Sequence, residues 1–167
     1  MTEQNTPSMQ RPDPAPSSAS MFPHEPHEPV LVLTDEQTWG LLERVRHGRL
    51  GTQIGGRMDI VPLNFAARDG KIWFRTAPGT KLVELTANPQ VVVQADGVLS
   101  DQAWSVQVHG EARELTAADE LAFAEGLGFE SWVPTQKHHY VVVEPTEVTG
   151  RHFQFGNAPE EQTAATD

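Results

Sequence analysis

RLGTQIGGRMDIVPLNFAARDGKIWFRT, residues 49–76, decides the fold class. Apolar and polar residues alternate through it, and the dipeptides Gly55-Gly56 and Asp69-Gly70 divide it into three runs. Such dipeptides supply the positive φ angles that tight two-residue hairpins need. The stretch reads as three antiparallel strands joined by two hairpins. Pro62 falls inside the second strand. A proline removes a ladder donor, so the strand is an edge or is interrupted there, and such local rule-breaks gather at functional sites.

Upstream, VLVLTDEQTWGLLERVRHG (residues 30–48) reads as a helix preceded by an apolar run. Thr34 and Gln37 are spaced as a capping box, and Asp35 and Glu36 suit the first turn. Arg44, Arg46 and His47 suit a last turn, with Gly48 as the stop. Downstream, TKLVELTAN (80–88) is a short helix, VVVQA (91–95) a buried strand, DGVLSDQ a loop and WSVQVHGEARELT (104–116) a long alternating strand. Thr116 is the expected cap of the helix AADELAFAEGLG. ESWVPTQKH is a loop, and HYVVVEP and EVTGRHFQF are two closing strands. No strand–helix–strand alternation points to a parallel sheet. The expected architecture is α+β, an antiparallel barrel of six or seven strands flanked by helices.

The chain has 167 residues, no cysteine and a formal net charge of −11. Residues 1–28 and 157–167 are poor in packable side chains and read as unstructured tails around a domain at 29–156. More than half of the net charge sits in those tails, so the domain is only mildly acidic. With no basic stripe, a nucleic-acid partner is not expected. Without cysteine there is no disulfide, thiolate nucleophile or cysteine-held metal. No apolar run reaches the roughly 18 residues that span a bilayer, and no signal-peptide core is present, so the expectation is a cytoplasmic protein with no membrane partner.

FRTAPGTKL (74–82) carries the chemistry. A strand ends in Arg75 and Thr76, Gly79 permits a sharp turn, and a helix begins at Thr80 and Lys81. Free N–H groups and the positive dipole end of a helix welcome an anion, and a lysine there opposes the dipole until an anion arrives. Taken alone, Thr80 and Lys81 fit a phosphate cradle and an ordinary cap with a solvated lysine equally well. His24 and His27, in HEPHEP (24–29), lack a third strong ligand, so no dedicated metal site is expected. His109, on the polar face of the long strand, is the one histidine singled out as a candidate haem ligand, with a plain surface or interface histidine as the favoured reading.

The ordered series GRLGT, DIVPLNF, DGKIWFRTAPGTKL, NPQVVVQAD, AWSVQVHGEA and EPTEVTGRHF resembles the pyridoxamine 5′-phosphate oxidase-like family, across residues 31 to 155. That resemblance implies an FMN-binding split β-barrel and a homodimer with cofactor at the subunit interface. It is nearest to the small flavin- or deazaflavin-binding members. Carried over by position, Val61, Pro62, Leu63, Asn64 and Phe65 would line the flavin ring. Arg75 and Thr76 would lie beside the ring edge and ribityl chain, and Thr80 and Lys81 would hold the phosphate. Ser105, with Trp104 beside it, would reach the cofactor from the second subunit, and Trp132 and Arg151 would close the site. Leu63 and Phe65 also read as core, Trp104 as a packed aromatic, and Arg151 as a salt-bridge residue. In the true oxidase an Arg-x-His pair faces the substrate. Here Arg151 and His152 are adjacent, and adjacent strand side chains face opposite ways. The expectation is therefore an FMN-dependent oxidoreductase working by hydride transfer at flavin N5 on a small molecule other than pyridoxamine phosphate. The alternatives are a non-catalytic flavin store or sensor, or a deazaflavin- or haem-binding barrel. No catalytic side chain and no metal ligand is assigned.

Overall fold

A computed structural model describes residues 20–129 and 139–156, the side chain of Thr80 excepted. The elements are β1 (Val30–Val32), α1 (Asp35–Leu42), β2 (His47–Ile54), β3 (Arg57–Arg68), β4 (Lys71–Thr76), α2 (Thr80–Ala87), β5 (Gln90–Val98), β6 (Gln102–Glu114), α3 (Ala118–Glu125) and β7 (His139–Gln154). Every strand pairing is antiparallel, in the order β1-β7-β4-β3-β2-β5-β6, and β6 pairs back onto β7 to close a barrel. This is the α+β split barrel anticipated from the chain.

Both hairpins form where the dipeptides stand. Gly55 and Gly56 have φ of 53° and 82°, and Asp69 and Gly70 have φ of 54° and 66°, so both central residues of each turn are left-handed. The barrel interior is filled by Leu50, Phe65, Ile72, Phe74, Val93, Val106, Val108, Val141 and Val143, all fully buried or nearly so. Each such side chain contributes about 1.5–3 kcal/mol on burial. Trp104 belongs to this core. A second cluster, Trp73, Leu115, Ala124 and Val142, lies on the outer face of β4 and β7 under α3. Arg113 holds α3 through two hydrogen bonds to Glu120, at 2.9 and 2.6 Å. Those bonds keep the Glu120 carboxyl below its ordinary range.

Pro62 sits where it was expected to be tolerated. Phe65 donates its N–H to Arg46 of the β2 side. Three residues earlier along β3, Pro62 turns its nitrogen the opposite way. There β4 is absent, because β4 pairs only with Phe65–Arg68.

Five local expectations change. DGVLSDQ is not all loop: residues 96–98 extend β5 and Gln102 opens β6, leaving residues 99–101 between the strands. The capping box forms, with Thr34 Oγ1 accepting from the Gln37 N–H and Gln37 Oε1 accepting from the Thr34 N–H. The helix, however, ends at Leu42, and His47 and Gly48 belong to β2. Pairing with β3 from Asn64 onward claims them. The cap of α3 is Ala117, not Thr116, because the sheet continues to buried Leu115, whose N–H donates to the Tyr140 carbonyl at 2.8 Å. The two closing strands are one strand of 16 residues. Gly110 faces Pro145 while His109 faces Glu147, so a bulge at Thr146 absorbs the proline that suggested a break. Residues 20–28, assigned by composition to the first tail, dock on the barrel: Phe22 packs edge-on against His152 with ring centroids 5.3 Å apart.

Gly48 tests the β2 placement. A Cβ there would press on the Gln94 carbonyl oxygen and sit 3.0 Å from the Phe65 ring, whereas one at Gly40 in α1 would meet nothing within 4 Å. Gly48→Ala should lower unfolding free energy by about 1–3 kcal/mol in urea titrations. Gly40→Ala should raise it by about 0.5–1 kcal/mol.

Candidate flavin site

The outer face of the β3–β4 pair leads to the N terminus of α2. Leu63 and Phe65 point into the core, so Pro62 and Asn64 face outward by alternation. On β4, Phe74 points inward and Trp73 outward, which places Arg75 outward and beside Asn64. Thr76 is buried at the barrel rim, and its hydroxyl donates to the Ala77 carbonyl at 3.2 Å.

Gly79, at φ 153° and ψ −166°, then turns the chain into α2. That conformation is open essentially to glycine alone. Gly79 itself is the cap residue, so Thr80 is the first helical residue and no side chain caps the helix. No acidic residue stands in the first turn. The uppermost N–H groups are thus offered to whatever approaches. Leu85 is buried in the core, and Glu84 accepts from the Thr52 hydroxyl at 3.0 Å, so α2 is fixed against β2 while Lys81 stays half-buried at its start.

Arg75 is the telling residue. Its Nε is buried and has no hydrogen-bond partner, the one such side-chain atom among the described residues. Its Nη2 reaches the Phe129 carbonyl only at the long distance of 3.5 Å. A buried guanidinium donor without an acceptor costs about 1–3 kcal/mol. An anionic or carbonyl-rich ligand would supply the missing acceptor. Phe129 and Tyr140, with ring centroids 6.0 Å apart, flank this position, and Tyr140 lies opposite Arg75 on β7. Neither aromatic was anticipated. The signal was long-range register between β4 and β7.

The structure gathers Pro62, Leu63, Asn64, Phe65, Arg75, Thr76 and Lys81, with the backbone of Thr80, at one end of the barrel. It keeps Ser105 and Arg151 apart from Arg75, while Trp104 joins Leu63 and Phe65 in the core. Ser105 and Arg151 are cross-strand neighbours on β6 and β7, while Arg75 opposes Tyr140. From Tyr140 to Arg151 the strand runs roughly 35 Å at about 3.3 Å per residue. Trp104 is 7% exposed and its indole covers Gly97, where a Cβ would clash with it. Arg151 is exposed and His152 fully buried, so the pair does face opposite ways. His109 is half-buried beside the β7 bulge and opposite Glu147. Trp132 lies outside the described residues. Among the described residues no three metal-ligating side chains cluster, and no helix is long and apolar enough to cross a membrane.

Residues 34–152 match the pyridoxamine 5′-phosphate oxidase family model, and the chain belongs to that family. A FAD binding protein from Mycobacterium smegmatis is 39% identical, aligns with 74% of this chain and 98% of its own, and superimposes with a TM-score of 0.65. A Corynebacterium glutamicum structure, assigned by name to the pyridoxamine 5′-phosphate oxidases, is 36% identical over 77% of this chain and 97% of its own, with a TM-score of 0.69. The uncharacterized protein Rv0080 of Mycobacterium tuberculosis is 31% identical over 143 residues, 81% of this chain and 93% of its own.

Arg75→Met removes the orphaned donor and keeps the aliphatic stem. The ligand-free variant should be as stable as the parent or up to about 1 kcal/mol more stable in urea unfolding. A loss of 2 kcal/mol or more would mean that Arg75 is a structural residue.

Proposed function

We propose that the chain binds a flavin nucleotide and acts as a flavin-dependent oxidoreductase on a small organic molecule. The observation that carries this is the buried Arg75 Nε without an acceptor, one turn of chain away from an uncapped helix N terminus. Both features call for the same kind of ligand, an anion joined to a polar heterocycle. The backbone of Val61–Phe65 would line the ring, Arg75 and Thr76 its edge, and the start of α2 with Lys81 the phosphate. When bound, a flavin supplies two-electron transfer at N5. The chain's own residues would bind and orient it. No described side chain is needed as acid or base.

FMN is the flavin that this donor set satisfies with the fewest further cations. FAD is the second reading, favoured by the name of the M. smegmatis relative. Pyridoxamine phosphate is not the proposed substrate, since Arg151 and His152 cannot face one molecule.

The site would be completed by a second copy. Met58 and Ile60, 74% and 73% exposed, lie on the same outward face of β3 as Pro62 and Asn64. An apolar strip of this kind beside a ligand site suits a subunit contact. A partner docked there would bring its own Ser105 and Arg151 to the flavin.

The cofactor is tested by visible absorption of the purified protein, with FMN, FAD and a deazaflavin each titrated in and any extracted chromophore weighed. A flavin band with saturation at one per chain is expected. Lys81→Ala should weaken binding about tenfold or more without changing the fold, the effect of losing one charge-assisted contact. A protein indifferent to all three ligands, or unchanged retention in Lys81→Ala, would overturn the assignment. For the partner, light scattering should give a dimer, and Ile60→Asp should give a monomer that has also lost flavin.

A further inference from the structure

We propose that His24 and His152 form a proton-operated latch that fastens residues 20–29 to the end of the barrel, closed when the two rings together hold a single excess proton. His24 Nε2 lies 2.7 Å from His152 Nδ1. The outer nitrogen of each ring meets an oxygen: His24 Nδ1 the Glu28 carbonyl at 2.8 Å, and His152 Nε2 the side-chain oxygen of Gln102 at 3.0 Å. The Gln102 amide cannot turn over to help. Its oxygen also accepts from the Met21 N–H at 2.8 Å, and its NH₂ donates to Asp101 Oδ1 at 3.3 Å.

The proton count follows from these contacts. Both ends of the relay are acceptors, so both outer ring nitrogens must carry hydrogen. The central nitrogen–nitrogen contact needs one more. Three hydrogens on four nitrogens is one more than two neutral imidazoles possess. Remove it, and a lone pair faces an oxygen. Add another, and two N–H groups face each other. The count alone fits a charge on either ring; full burial makes His152 the neutral one, with its hydrogen on Nε2, so that His24 donates at both nitrogens. His152 is fully buried, stacked edge-on by Phe22, and its pKa is pushed down by burial and then by the charge on His24.

Other charged or titratable groups surround the latch without replacing it. Glu25, His27 and Glu28 are on the strap itself, Asp101 is at the start of β6, and Glu36, Glu43 and Arg44 of the α1 region line the depression beside Met21 and Phe22. Arg151 points to the opposite face of β7. The strap is shaped for docking by the turn Glu25-Pro26-His27-Glu28, closed by the Glu28 N–H to the Glu25 carbonyl at 3.1 Å, with His27 at φ 71°. His24 lies outside residues 34–152, which match the family model, and His152 is the last residue inside them.

Linkage gives the pH response its shape. Above the ordinary histidine value, about 6.5, the open strap has two neutral rings and closing takes up a proton. Below it, the open strap has two charged rings and closing releases one, because the depressed pKa of His152 keeps that ring neutral when closed. Closure is therefore strongest in the middle and weakens by up to about tenfold per pH unit on either side.

The test is amide exchange at Met21 and Glu28, corrected for intrinsic rates, together with ring ¹⁵N shifts, across pH 5 to 9. Expected are a bell-shaped protection profile, two protonated nitrogens on His24, and one, Nε2, on His152. His24→Gln, which can hydrogen-bond but cannot hold the proton, should abolish the fall in protection on the alkaline side, keep an acid-side fall from His152, and leave the barrel's unfolding unchanged. Two neutral rings in the protected state, or the same bell in His24→Gln, would overturn the proposal.

Discussion

Closure of the barrel by β7 is the constraint on which the other features depend. A sheet edge leaves a row of N–H and C=O groups unpaired, and a chain of this size must satisfy or shield them. Here one strand serves both ends. Along one edge it pairs with β4 at His139–Val143 and with β1 at Arg151–Phe153; along the other it pairs with β6 over nearly its whole length. A single rigid rod therefore fixes the distance between the Arg75 end and the Arg151 end. The bulge at Thr146 and the missing Cβ of Gly110 are what allow a proline within so long a strand.

Against that frame of satisfied backbone, Arg75 stands out by contrast with other cations of the chain. Arg49, Arg57, Lys71 and Arg113 are partly exposed and paired with carboxylates. Exposed pairs of this kind contribute about 0–1 kcal/mol each and say little about chemistry. Arg75 is held under Phe129 with a donor left over. Among the described residues that cost falls at this one buried side-chain donor, next to a helix start left without a side-chain cap, and the proposed ligand is what would offset it.

The hairpins were legible in the sequence because their signals are local: Gly55-Gly56 and Asp69-Gly70 need positive φ whatever surrounds them. The Arg75–Gly79–Lys81 constellation was legible for the same reason, being contiguous in the chain. What misled was competition between local and distant partners. Gly48 looks like a helix stop, yet it is required by the close approach of Gln94, a residue of another strand. Pro145 looks like a strand end until the partner strand shows that one residue is skipped. Phe129 and Tyr140 beside Arg75, and the docking of His24 on His152, come from pairings across many residues, which no short window contains. The family resemblance reached the site residues but not the strap, which lies outside the matched segment.

The length of β7 between Tyr140 and Arg151 also has a genetic meaning. If each flavin site draws Arg75 from one copy and Arg151 from the other, damage to either residue is shared unequally in a mixed dimer. Pairing a copy altered only at Arg75 with a copy altered only at Arg151 places both lesions in one site and leaves the other intact. Two inactive alleles would then restore each other in a single cell, whereas two alleles altered at Arg75 and Lys81, which belong to the same half-site, would not.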